Sequence, residues 1–370
     1  MNLSVNCKRH TRRSLGSRAV SLLFAVAGAF GCGGDLWADK IQLVAGGGLS
    51  ALPATASGAA LHEPFGTEFD ESGNLWIVEM ISSNRLLSLN TDGILRHVAG
   101  RNGPGFSGDE GPALEAQFNG PHNLAVLPSG RILVADTWNG RIREVDSTTG
   151  TVRSLPGFEV SRERAKGSGP YCITLDDAKT HLFIADLKQV WVLDLQTSAL
   201  KLVAGNGKKG VPTDGNQATN QPLSDPRAVA PDHLGNVYIL ERGGNALRVV
   251  DVEGNIRTVV NASGRVGNQG DGGPALDATM NGPKHLCVDR DNTVLIADAE
   301  NHLVRRYVPS TGRIERVAGT GTKGFRGLGS SPEECDLARP HGVSIHPKTG
   351  ELYITDSYND RLLKIVKTSQ

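Results

Sequence analysis

Aromatic residues make up only 5% of this 370-residue chain, cysteines number five, and the 39 lysines and arginines are balanced by 39 aspartates and glutamates. Each shortage removes a class of protein. No stretch has the length and spacing of a long amphipathic helix, which argues against a helical domain. The longest apolar run, Ala19 to Phe30, is too short to span a bilayer stably. Cys7 and Cys32 lie near the start, so only Cys172, Cys287 and Cys335 remain for the rest of the chain, and three cannot all pair. Turn formers are abundant instead. The 46 glycines and 18 prolines, set against 38% hydrophobic residues, suit thin sheets joined by many turns.

The first segment reads as a leader. Lys8, Arg9, Arg12, Arg13 and Arg18 precede the apolar run, which is the layout of an export signal. Thr11-Arg12-Arg13-Ser14-Leu15 resembles a twin-arginine export motif, with the general secretory route as the alternative. Cleavage after Ala38 would release a chain beginning at Asp39. Lipidation at Cys32 is a competing arrangement, although Ala29-Phe30-Gly31-Cys32 puts Ala and Phe where a lipoprotein box has Leu and a small residue. The expected division is 1–38 as export signal and 39–370 as one folded domain. Losing five basic residues and one acid, Asp35, leaves 34 basic against 38 acidic, a formal charge of −4, so nucleic acid is not an expected partner.

Within residues 39–370 one pattern recurs six times. Copies open at Pro64, Pro121, Pro170, Pro226, Pro283 and Pro340, in steps of 57, 49, 56, 57 and 57 residues. The clearest runs from Gly120-Pro121-His122-Asn123-Leu124-Ala125-Val126 through Arg131-Ile132-Leu133-Val134-Ala135-Asp136 to Arg141-Ile142-Arg143-Glu144-Val145, three short strands with turns between. A fourth strand follows at the Val-Ala-Gly of positions 98–100, 203–205 and 317–319. One such sheet cannot bury both faces, and radial packing into an all-β, six-bladed propeller of four-stranded antiparallel blades is the solution. The last copy supplies three strands only, while Ile41-Gln42-Leu43-Val44-Ala45-Gly46 has the fourth-strand signature with none before it. It is expected to latch the ring. A monomer is expected of such a closed ring.

These residues resemble the NHL-repeat family of six-bladed propellers, in its teneurin-like and bacterial secreted branches. The resemblance rests on the copy just quoted with its Thr137-Trp138-Asn139-Gly140 turn, on Ala297-Asp298-Ala299-Glu300-Asn301-His302, and on Thr355-Asp356-Ser357-Tyr358-Asn359-Asp360-Arg361. Gly108-Asp109-Glu110-Gly111-Pro112-Ala113-Leu114 and Gly270-Asp271-Gly272-Gly273-Pro274-Ala275-Leu276 resemble connecting segments of those branches. Fold follows from this likeness far more readily than function.

Candidate chemistry lies where blades converge. The residue after each opening proline is expected to ring the channel mouth as a ligand-binding site: Phe65, His122, Tyr171, Arg227, Lys284 and His341. Trp138 and Tyr358 are expected on its rim, exposed for stacking on sugar or peptide. The segments 101–119, 206–224, 261–281 and 320–338 should surround it as loops. In the resemblance, a peptidyl-hydroxyglycine amidating lyase holds zinc with histidines after such prolines. Here His122 and His341 are two members of that trio, and the third position is Arg227, which would repel a cation. His285, one residue past the ring, should be turned away by strand alternation.

A second set of residues, Glu79, Asp136, Asp186, Glu241, Asp298 and Asp356, ends each second strand and is read as turn-forming rather than catalytic or calcium-binding. Cys172 and Cys287 are read as core filling, and Arg162, Glu163, Arg164 and Lys166 as a solvated charge run. The chain is thus expected to be an exported binding or interaction module for a protein, peptide, carbohydrate or small anionic ligand. No cofactor is predicted. The alternative is a secreted lyase or lactonase using a metal, zinc or calcium, with the mouth histidines. Protonation of those histidines near pH 6.5 should tighten anion binding.

The leader makes a direct prediction. N-terminal sequencing of protein from cell fractions should find an end near Asp39 outside the cytoplasm; an intact Met1 in the cytosol would refute it.

Overall fold

The computed structural model describes residues 39–81, 83–101, 103–159 and 169–367. The leader and the charge run at Arg162–Lys166 lie outside them. The described strands form six antiparallel sheets in chain order. Their first strands touch one another in a closed circle: Pro64–Phe69, Pro121–Val126, Cys172–Leu175, Pro226–Pro231, His285–Val288, Gly342–Ile345 and back to Pro64–Phe69. The molecule is therefore a six-bladed β-propeller. Three of the second strands, Leu75–Glu79, Val237–Glu241 and Val294–Asp298, are buried at every position, because neighbouring blades cover both faces of each sheet. Among the described residues the only helical pieces are single 3-10 turns, and no helix is long and apolar enough to cross a membrane.

Closure occurs where the sequence places it. Lys40–Gly46 pairs antiparallel with Arg361–Val366, Ile41 opposite Ile365 and Leu43 opposite Leu363, and Ile41 and Ala45 are wholly buried. Its outer edge is covered as well, since Ile41 N–H donates to Ser330 O at 3.1 Å and Ile41 O accepts from Gly329 N–H at 2.9 Å. No long free edge is left there to recruit another strand.

The connecting segments are more built than loops. In four blades a two-residue fifth strand, Ala54–Thr55, Gly111–Pro112, Asn216–Gln217 or Gly273–Pro274, lies against the outer strand. The turn after it buries small residues: Ala113, Ala116, Ala275 and Ala278 are at most 1% exposed, and Phe118 follows them into the core. The other faces of these turns and the apices reach solvent, as at Leu114, Leu276, Phe325 and the half-exposed Phe106. The expectation that 101–119 and its counterparts serve wholly as rim loops is corrected to this extent.

The acid at the end of each second strand also does more than shape its own turn. Glu79 accepts the backbone N–H of His62 at 2.7 Å, Asp136 that of Asn119 at 2.7 Å, Glu241 that of Ser224 at 2.6 Å, Asp298 that of Asn281 at 2.9 Å and Asp356 that of Ala338 at 2.6 Å. Each donor stands two residues before an opening proline. A guanidinium from the third strand meets the same carboxylate: Arg85 at 2.8 Å, Arg143 at 3.6 Å, Arg248 at 2.8 Å, Arg305 at 3.4 Å and Arg361 at 2.7 Å. Three of these arginines then reach the incoming connecting segment, Arg143 to Ser107 O and Gln117 O, Arg305 to Gln269 O and Thr279 O, Arg361 to Phe325 O and Asp336 O. In the third blade Asp186 accepts from Lys188 and Gln189 N–H and from the Trp191 indole.

Deleting residues 39–46 should cost at least about 3 kcal/mol, from the loss of the buried Ile41 and of a whole strand, and promote aggregation. A deletion protein that is equally stable and monomeric, by thermal melt and light scattering, would refute the latch. Arg305→Met leaves Asp298 as a buried carboxylate without its cation and should cost about 3–5 kcal/mol in denaturant unfolding.

Candidate functional site

Each first strand bulges just after its proline. In blade two Pro121 pairs with Asp136 and Leu124 with Val134, three steps against two; in blade four Pro226 pairs with Glu241 and Ala228 with Leu240. In blades three, five and six the residue after the proline donates its N–H to the residue that pairs with its successor: Tyr171 N–H to Ala185, Lys284 N–H to Ala297, His341 N–H to Thr355. A bulge of this kind sets two successive side chains on one side of a strand. Both then face the axis.

The first of each pair forms the ring. Phe65, His122, Tyr171, Arg227, Lys284 and His341 all line one cavity of about 30 Å³, which His285 also lines. Phe65 stacks on His341 with centroids 4.0 Å apart and meets His122 edge-on at 5.1 Å; His122 meets Tyr171 at 4.7 Å, and the Arg227 guanidinium lies 4.0 Å over the Tyr171 ring. Trp138 and Tyr358, 38% and 43% exposed, stand outside them against His122 at 5.7 Å and His341 at 5.6 Å.

The second of each pair forms a floor. Asn123 Oδ1 accepts the Ile173 N–H at 2.9 Å, which turns its amide nitrogen toward His285 Nε2, 3.0 Å away on the opposite blade. That pair crosses the axis. Alternation alone turns His285 away, and the bulge brings it back. Glycine fills two floor positions because a Cβ on Gly66 would stand 2.7 Å from Asn123 Cα, and one on Gly342 2.5 Å from the Phe65 carbonyl oxygen. Only the bulge, a feature of strand pairing, could have revealed Asn123 and His285.

The mouth is divided. Aromatic rings occupy the arc from blade six through blade three, while the charges gather on blades four and five. Arg227 Nε donates to Asp225 at 2.8 Å, leaving its Nη groups without a protein acceptor among the described residues. Lys284 Nζ has one carboxylate nearby, Glu300 at 4.0 Å, and Arg339 already grips that carboxylate with two hydrogen bonds.

Burial governs the titrations here. It holds His122 down at about 3, against a 2.7 Å hydrogen bond from its Nδ1 to Gly120 O that favours the charged ring; Arg227 and Lys284 push it down further. Burial likewise lowers His285 to about 4 and His341 well below the ordinary imidazole range. His341 Nδ1 is buried with no hydrogen-bond partner among the described residues. Burial, then the Arg242 and Arg227 charges, bring Lys284 down to about 8. The histidines are therefore neutral across pH 5.5–7.5, and the expected tightening by their protonation is corrected.

The two mouth histidines do not fit a shared metal ion. Phe65 lies between them, Arg227 fills the third position, and among the described residues no three His, Cys, Asp or Glu converge in a way that could hold one. Cys172, Cys287 and Cys335 are free thiols.

Comparison with known proteins agrees with this architecture. The family model for the NHL repeat matches residues 118–144, 280–307 and 337–365, which lie in blades two, five and six. NHL repeat-containing protein 2 of Gallus gallus is 26% identical over 331 residues, covering 79% of this chain and 45% of that protein. The chain spans less than half the length of the curated relatives it matches. Among solved structures, an auxiliary nutrient binding protein from Bacteroides thetaiotaomicron superposes with a TM-score of 0.66 at 13% identity, over 90% of this chain and 77% of that one. A virginiamycin B lyase from Staphylococcus aureus superposes with a TM-score of 0.51 at 15% identity, over 89% and 99%. With its six repeats, its bulged first strands and its N-terminal latch, the chain is an NHL-repeat β-propeller.

Proposed function

We propose that this propeller is an exported binding protein whose channel mouth takes a small ligand bearing a carboxylate or similar anion. One observation carries the reading: Arg227 and Lys284, on adjacent blades, face a single cavity whose other walls are aromatic rings and neutral imidazoles. The free Nη groups of Arg227 offer the forked donor geometry that suits a carboxylate. The ligand's apolar part would lie on Trp138 and Tyr358, the two half-exposed rings beside the ring residues. The nutrient-binding structure of like fold and the basic, then apolar leader both support export and capture. A cavity of about 30 Å³ holds little more than water, so the ligand's anionic end enters and its body stays at the rim. The competing lyase-type role, to which the virginiamycin B lyase likeness lends support, would have to use the neutral imidazoles without a shared metal.

Calorimetry with a panel of small carboxylates and phosphates tests the reading. Arg227→Ala should weaken binding roughly tenfold to a hundredfold, the worth of a charge-assisted hydrogen bond. The charged form of Lys284 favours the anion, so affinity should be flat from pH 5.5 to 7 and fall as pH rises through about 8. No anion binding in the wild type, or binding indifferent to Arg227, would end it.

A further inference from the structure

Lys284 differs from every other cation at the mouth. Arg227 and Arg242 both bond Asp225, and Arg339 bonds Glu300 and the Tyr358 hydroxyl. The Lys284 amine has no hydrogen-bond acceptor among the described residues and only the preoccupied Glu300 at 4.0 Å. Its side chain is 16% exposed. It lines the ring cavity. Between blades four and five lies an open groove of about 540 Å³, walled by Arg242, by Asp225, which bonds Arg227, and by Glu300, 4.0 Å from the amine. Three guanidiniums act on the position, Arg227 and Arg242 from blade four and Arg339 from the segment entering blade six; the carboxylates are Glu300 at 4.0 Å and Asp225, held between Arg227 and Arg242, and the neutral His122 and His341 stand on the same cavity.

We propose that Lys284 is a nucleophile that condenses with a small oxo acid, an aldehyde or ketone carrying a carboxylate, whose carboxylate is held by Arg227 and Arg242. A desolvated amine beside other cations is the arrangement that makes a lysine reactive near neutral pH. In the step itself, the neutral amine's lone pair forms a C–N bond to the carbonyl carbon while the C=O π pair moves to oxygen. The nitrogen gives up its protons, the oxygen leaves as water, and an imine remains. No oxidant or reductant is needed. This rests on the anion-binding reading of the mouth and adds a covalent step to it. With Lys284 lowered to about 8, the neutral amine at pH 8 is on the order of a hundredfold more abundant than for an ordinary lysine.

The test uses glyoxylate with sodium cyanoborohydride at pH 8 on the intact protein, followed by digestion and mass spectrometry. Reduction should fix a carboxymethyl group on Lys284 at least about tenfold faster than on the exposed Lys208 and Lys209. Arg227→Ala should slow that labelling, and Lys284→Met, checked for folding by circular dichroism, should abolish it while surface labelling persists. Glycolate, which has the carboxylate but no carbonyl, is run in parallel by calorimetry. If glycolate binds and Lys284 labels no faster than the surface lysines, the nucleophile is overturned and the anion site stands; if glycolate does not bind and Lys284 is unlabelled, both fall.

Discussion

The buried carboxylate at the end of the second strand holds the connections of this propeller in place. In five blades it accepts the N–H two residues before an opening proline and meets an arginine from the third strand, as with Asp298, Asn281 and Arg305. A carboxylate in the core is costly unless its acceptor sites are filled, and here they are filled by groups that belong to different parts of the blade. The arrangement holds only when second strand, third strand and incoming segment are all in position. It therefore makes the blade cooperative and sets the point at which each first strand begins. Arg143, Arg248 and Arg305, at most 2% exposed, are as much a part of the core as the aliphatic residues.

That starting point determines the site. Because the segment is anchored just before the proline, the strand enters with an extra residue, and the bulge that absorbs it aims two side chains per blade at the axis. The upper layer is a mouth of rings and cations, and the lower is the Asn123–His285 pair that closes the channel. The same closeness that packs Phe65 against His341 removes water from the imidazoles, so the histidines become neutral walls and the charge rests on Arg227 and Lys284. The mouth thus sets an aromatic arc against a charged arc.

Much of this was legible in residue order. A repeat signals itself by its period, a strand by its apolar run and a turn by Gly, Asn and Asp, all of which are local. The latch was legible too, since Ile41–Gly46 carries the signature of a strand whose partners lie at the far end of the chain. The six ring residues could be named because they hold the same place in every repeat. The buried arginines were in view in the repeat, but their role was not, because Arg143 bonds Ser107 and Gln117, residues brought near only by the fold.

Residue order is enough for the six blades, their closure and the composition of the mouth, since periodicity and position within a repeat follow from backbone geometry that every copy shares. Which side chains meet across the axis, and what charge they carry, depends on the packed molecule. His285 faces the cavity through a bulge that depends on strand pairing. The neutrality of His122 and His341 and the lowered Lys284 depend on burial, which is a property of six blades packed together and of no single repeat.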